Sequence, residues 1–359
     1  EIGIAQSELV EAGLMRNPLL GYSIGRSNGI TTSTLSVEVA FLDLLWIPLR
    51  RELSGLALEE AMLSVGDTVL RHARDTKKLY IDARVAEEKV NLRRSILKSH
   101  EASLQLAIRQ YTAGNLSKRE MLKIQDAYQH ARIESMKLAR ESASAREAFN
   151  TLLGLYGEQT RYTLSTEPLS RFDAVISESG LEKRAISNRL DMRSAIKSVD
   201  YAATQAGYTQ STALLDEVEL SLESEKTTGE KRFNTFGVKI PIPLFDFGQG
   251  RVSKSQAFYN QSVHRLYERA VTVRSEVREG YARYRYSYDI AKDYDEVIVK
   301  TNQQILVETQ LFYNGMLDGI YELLEDQRRV GESKMEALEA LGDYHKAHAD
   351  LEYTIGGKL

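Results

Sequence analysis

Apolar positions recur every seven residues in two long stretches of this chain. From Val263 the count runs through Ala270, Val277, Tyr284, Ala291, Ile298, Ile305 and Phe312, all apolar or aromatic. An earlier stretch reads Met62, Val69, Thr76, Ala83, Val90, Leu97, Leu104 and Tyr111, broken only by Thr76. The two lie 201 positions apart, and Arg50 with Arg251, Tyr80 with Tyr281 and Gly114 with Gly315 share that offset. A strict heptad keeps one seam of a helix against a neighbour and predicts a left-handed supercoil. A helix from Met62 to Tyr111 is about 75 Å long at about 1.5 Å per residue, too long for an ordinary globular core. The shared offset marks an internal duplication.

Ahead of each long helix the period changes from seven to two. Residues 1–16 read as the end of a helix stopped by Asn17-Pro18. A short extended piece, Gly21–Arg26, leads to the hairpin-turn pair Asn28-Gly29. Leu35, Val37, Val39 and Phe41 then alternate with polar positions. The first repeat, 1–157, thus holds a hairpin at about 20–43 and long helices at about 50–111 and 117–153. Gly114 is suited to a left-handed cap between those helices, and Ser117 with Glu120 forms a capping box. A connector with Pro168 fills 158–180. The second repeat, 181–359, opens with one helix, Leu181 to Tyr208, followed by a hairpin at about 213–241. In that hairpin Val218, Leu220 and Leu222, then Phe236, Val238 and Ile240, mark the apolar side. Pro241 and Pro243 close its last strand, and long helices follow at about 251–313 and 318–353.

Strands with one apolar and one polar face form a wall between lipid and water. Four strands in one chain enclose nothing useful, so closure requires several copies. The pattern therefore predicts a mainly α chain with a β-barrel part: duplicated coiled-coil helices and two hairpins in an oligomeric tube. Val37, Val39, Val218, Leu220 and Val238 are the expected lipid-facing positions.

Composition narrows the classes. Among 359 residues there is no cysteine, which excludes disulfides and thiol chemistry, and the net charge of −4 offers no footprint for nucleic acid. No run of 18 apolar residues exists, so an ordinary spanning helix is excluded while a membrane barrel is not. The chain shows no charged-then-apolar leader; for an exported protein the expectation is that a signal peptide, and any lipidated cysteine, has been removed. No Ser-His-Asp set, phosphate loop or catalytic carboxylate pair stands in a plausible context, and no cofactor is expected.

Four segments carry a family resemblance. Val238-Lys239-Ile240-Pro241-Ile242-Pro243-Leu244-Phe245-Asp246-Phe247-Gly248-Gln249-Gly250-Arg251 is similar to the strand-to-helix junction of the TolC-like outer-membrane efflux channels. Tyr313-Asn314-Gly315 resembles their helix-tip turn, and Asn188-Arg189-Leu190-Asp191-Met192-Arg193-Ser194-Ala195 their repeat-opening motif, with Leu190 where proline is usual. Asn17-Pro18-Leu19-Leu20 is similar to the opening of repeat one, but the hairpin follows at once where the family has a helix of about six turns. The resemblance covers nearly the whole chain. It implies a homotrimer with a twelve-stranded barrel in the outer membrane of a Gram-negative bacterium and a helical tube across the periplasm. It implies as partners a periplasmic adaptor, an inner-membrane pump, the resistance-nodulation-division type being one candidate, and outer-membrane lipid. The function implied is that of a passive exit duct for small molecules or metal ions. An adaptor-type protein and a structural coiled coil are the alternatives.

Several residues are candidates for specific roles. The resemblance places Glu322 and Glu325, with Asp318, at a pore gate opening the final helix, where rings of acid favour cations; acids also simply suit a helix start. Tyr111, Gly114, Tyr313 and Gly315 mark the helix-tip turns for adaptor contact. His345 and His348, three apart on one helix, are weak metal candidates against a packing role. The tip Tyr313-Asn314-Gly315-Met316-Leu317 resembles that of metal-efflux members. The 19 tyrosines read mainly as seam packing. Arg50 and Arg251 begin long helices, either as interface or headgroup contacts or as solvated helix starts.

Overall fold

The computed structural model describes all residues except 166, 168, 170, 171, 173, 174, 214–217, 318 and 359, and the side chain of Ser27. Pro168, the start of the second hairpin and Asp318 therefore lie wholly or partly outside the described residues. The elements follow the order α1 (Ile2–Ala12), β1 (Leu19–Ser27), β2 (Ile30–Ala40), α2 (Asp43–Thr112), α3 (Lys118–Leu153), α4 (Leu181–Asn188), α5 (Leu190–Ser211), β3 (Glu219–Thr227), β4 (Phe233–Lys239), α6 (Gln249–Asp293), a π-helical turn (Tyr294–Ile298), α7 (Val299–Asn314) and α8 (Ile320–Thr354). The chain forms two compact units, residues 1–68 with 186–274 and residues 69–185 with 275–359.

The first unit holds one antiparallel sheet in the order β1-β2-β3-β4. Asn28 and Gly29 both take positive φ, 48° and 79°, as a tight type I′ hairpin requires. The two hairpins join through β2 and β3, from Thr32 opposite Thr227 to Ala40 opposite Glu219. Beyond the sheet, Arg50 donates to the Leu14 carbonyl at 3.4 Å and Arg251 to the Ala213 carbonyl at 3.3 Å. The paired arginines thus fasten the starts of α2 and α6 to the segment just after α1 and α5. This makes α1 the counterpart of the last turns of α5. Asn17-Pro18 consequently sits in the link into β1, and the repeat-opening motif is found only at Asn188–Ala195, where Arg189 (ψ 133°) breaks what reads in sequence as one helix. The helix expected near Arg50 begins at Asp43, with Pro48 inside its early turns.

The second unit is a helical bundle with two aromatic centres, one in each repeat. Tyr80 and Phe149 meet with rings 5.9 Å apart, beside buried Ala83 and Leu164. Tyr284 and Tyr344, both fully buried, meet at 5.8 Å, with Phe172 and Tyr288 against them. The capping box of α3 is present, Ser117 Oγ accepting from the Glu120 amide at 3.2 Å, and Gly114 and Gly154 take φ of 80° and 68°.

The heptad seams need correction. Val277, Tyr284 and Ala291 are buried as expected, but the π-helical turn then admits one extra residue. After it the inward positions are Val299, Asn302, Leu306, Thr309 and Tyr313, whereas Ile298, Ile305 and Phe312 are 37%, 37% and 47% exposed. In repeat one, Met62 and Val69 are likewise exposed while Ala83 is buried. An unbroken period shows that a helix has an apolar row, not that the row meets the chain's own neighbour.

Candidate functional site

Two places carry the candidate residues: the sheet in the first unit and the helix tips in the second. In the sheet, residues directly opposite share a face. Leu20 pairs with Val37, Val37 with Leu222 and Leu222 with Phe236; the next row is Val39, Leu220 and Val238. Val218 lies just before β3, its carbonyl accepting from the Phe41 amide at 3.2 Å. Four of the five lipid-facing candidates therefore stand in one continuous apolar field. The sequence reading missed the contribution of β1, although Leu20, Tyr22 and Ile24 alternate with Gly21, Ser23 and Gly25; all three apolar side chains are well exposed.

The opposite face is polar. Lys239 Nζ reaches Glu38 at 2.5 Å, passing over Ser221, which is buried between Glu38 and Gly237. A Cβ on Gly237 would stand 2.4 Å from Ser221 Oγ, so a larger residue there would require the Ser221 hydroxyl to turn away. Gly21 meets Ser36 in the same way at 2.5 Å. Strands β1 and β4 form the two edges, unpaired on their outer sides among the described residues. Strands β1, β2 and β3, of 9, 11 and 9 residues, have the length of a tilted crossing of a hydrocarbon layer, and β4 is shorter at 7. No helix is long and apolar enough to cross a membrane among the described residues.

At the tips, α8 is held by three helices. Leu324 is buried with Ala107 of α2 and Ile124 of α3. Thr309 of α7 donates to Asp326 at 2.6 Å, Ser99 of α2 to Gln327 at 3.2 Å, and Lys123 of α3 lies 5.0 Å over the Tyr321 ring. These contacts turn the two gate candidates differently. Glu325 accepts from Arg328 Nη2 at 2.5 Å and Nε at 3.0 Å, and those hydrogen bonds hold its carboxyl below the ordinary value. Glu322 is exposed and has no ion-pair partner among the described residues. The turn residues Tyr111, Gly114 and Gly315 are exposed, Tyr313 is half-buried, and Met316 beside them takes φ of 57°.

His345 and His348 lie against Tyr344, with ring centres 5.0 and 6.4 Å away. Among the described residues no group of three or more metal-ligating side chains gathers there. One polar cluster was read only as a motif: Asp191 accepts from Arg189 at 2.7 and 3.0 Å and from Arg269 Nε at 2.9 Å. Burial pushes its carboxyl up, but the two arginines outweigh that and hold it at about 2. The motif therefore works as a clamp between the start of α5 and α6.

Comparison with known proteins gives three results. Residues 181–357 match the family model of the outer membrane efflux proteins. Among characterised proteins, the chain is 24% identical over 355 residues to Nodulation protein T of Rhizobium leguminosarum bv. viciae, covering 93% of this chain and 72% of the relative. Among solved structures, CusC superposes with a TM-score of 0.82 at 15% identity, over 99% of this chain and 87% of CusC. The Vibrio cholerae outer membrane protein VceC gives 0.80 at 16%, covering 99% and 91%. The Campylobacter jejuni CmeC outer membrane channel gives 0.81 at 14%, covering 99% and 81%.

Proposed function

From a chain that carries the outer membrane efflux protein domain over residues 181–357 and has the fold of the TolC-like outer-membrane channels, we propose a passive exit duct. Three copies close the sheet into a twelve-stranded barrel in the outer membrane of a Gram-negative bacterium, and the helices extend into the periplasm. The observation that carries this reading is the four-stranded sheet with one apolar field and two open edges. Such a field in water, on edges free to add strands, is an aggregation hazard. Closing the edges with further copies, apolar field outward to lipid, removes it. The same sheet argues against a purely structural coiled coil.

In this reading the polar face lines the lumen with Glu38, Glu219, Glu223 and Lys239. At the helix tips the exposed Glu322 gives one carboxylate per copy to the mouth, while Glu325 is paired with Arg328, which it shares with Glu332. Selectivity then comes from pore diameter and lining charge. The tip turns around Tyr111, Gly114, Tyr313 and Gly315 are the contact points for a periplasmic adaptor, through which an inner-membrane pump delivers its cargo. The test is mass measurement in mild detergent followed by planar-bilayer recording. A trimer that opens discrete conductances is expected; a monomer without channel activity refutes the duct.

A further inference from the structure

The second repeat carries a basic groove that the first lacks. Within the first unit α5 leads into β3 and α6 follows β4, strands that pair with each other. The two helices enclose a groove of about 620 Å³. Arg251, Lys254, Phe258 and Arg265 enter it from α6, and their spacing puts all four on one face of that helix. Tyr201 and Gln205 line it from α5. Short side chains leave the room: Ser198 and Ala202 on α5, Ser255 and Ser262 on α6. No aspartate or glutamate lines the groove among the described residues. Ser198, at the end away from the sheet, gives its hydroxyl to Glu60 of α2.

The charges of this groove are not balanced from within. Arg251 is partly committed to the Ala213 carbonyl, but Lys254 and Arg265 are exposed and enter no ion pair among the described residues. Lys254 Nζ stands 5.8 Å from the centre of the Phe258 ring, which is itself 55% exposed. The fold does not demand this row: the matching positions of repeat one hold Leu53, Ala57 and Ser64, and Leu53 is buried. We propose that the groove binds an elongated organic anion, its aromatic or apolar body against Phe258 and Tyr201 and its negative charge towards Lys254 and Arg265. Those two cations lie about 16 Å apart along α6, so a molecule of some length is needed to serve both. The volume suits one small organic ligand. An acidic phospholipid shares this chemistry, but Arg265 lies about 21 Å further along α6 than Arg251 at the sheet end, which favours a soluble anion. Both walls of the groove belong to one chain, whereas further copies add strands beyond β1 and β4.

The probe is biphenyl disulfonate, a rigid aromatic rod with a sulfonate at each end, titrated calorimetrically into the detergent-solubilised protein at low salt. Saturable binding is expected. Lys254→Gln with Arg265→Gln should weaken it about tenfold or more, and Phe258→Ala several-fold. Circular dichroism checks that each variant is folded, and if one is not, the other carries the test. Inorganic sulfate should compete only at far higher concentration than the probe. No saturable binding, equal affinity in the folded variants, or sulfate competing as well as the probe overturns the inference. Displacement of the probe by phosphatidylglycerol added to the micelles assigns the groove to lipid and overturns the soluble anion. Because the groove lies within one chain, a monomer that binds the probe keeps this inference and refutes the duct, while a conducting trimer that does not bind it does the reverse.

Discussion

Removing the carboxylate of Asp191 is expected to destabilise the first unit more than removing the whole ion pair. Arg189 is 4% exposed and its main anchor is Asp191 at 2.7 Å; Arg269, 34% exposed, holds the same carboxylate from α6. Asp191→Ala takes the carboxylate away from a buried guanidinium, a loss of up to about 3–5 kcal/mol. Replacing Asp191 by Leu together with Arg189 by Met removes the buried guanidinium with its carboxylate, and is expected to cost less than the single change because the remaining cation, Arg269, is 34% exposed to water. The pH dependence has a definite sign. The carboxyl falls from 3.8 in the unfolded chain to about 2 when folded. Its contribution is therefore complete above pH 3.8 and is lost as pH drops through about 2. Nearly two pH units correspond to about 2 kcal/mol, trimmed towards about 1 by solvent at Arg269. Thermal unfolding of the detergent-solubilised protein by circular dichroism checks both points. The expected outcome is a melting temperature several degrees lower for Asp191→Ala, and for that variant a shallower fall in stability between pH 4 and 2. A double variant as unstable as the single one refutes the stranded-charge argument.

Three further outcomes are expected. Leu220→Arg places a guanidinium in the middle of the apolar field and should cost about 2–4 kcal/mol at bilayer mid-depth, seen as loss of trimer in outer-membrane fractions; a normal trimer level reverses the assigned faces. Glu322→Gln, which removes an exposed carboxylate, should lower cation selectivity in planar bilayers; unchanged selectivity counts against Glu322 at the mouth. An alanine inserted after Glu296 adds a second extra residue beside the π turn and rotates Leu306 and Thr309 out of their seam by about 100°. It should lower the melting temperature and the yield of trimer, and an unaffected protein means the seam after Val299 is not specific.

Periodicity, turn chemistry and caps are local, and they determined which elements form. Seven-residue rows dictated long helices, two-residue alternation dictated the strands and their apolar sides, and Asn28-Gly29, Gly114 and the Ser117–Glu120 box dictated the turns. The offset between Arg50 and Arg251 disclosed the duplication, and both arginines then proved to make the same contact, to the carbonyls of Leu14 and Ala213. Tertiary structure decided what those elements touch. A row of apolar residues is the same string whether its neighbour is in the chain or in another copy, so Met62, Val69, Ile298, Ile305 and Phe312 read as seam residues yet are exposed in one protomer. The π turn that shifts the second row depends on how α7 is held against α8, as by Thr309 on Asp326, and leaves no mark in a count of sevens. The pairing of β2 with β3 joins segments nearly two hundred residues apart, and only long-range packing selects it. For charge the division is similar. The acids at the start of α8 were visible in the sequence, but Glu325 is bound by Arg328 and Glu322 is left free, because helix geometry brings positions three apart together while side-chain orientation within the bundle chooses which pair closes.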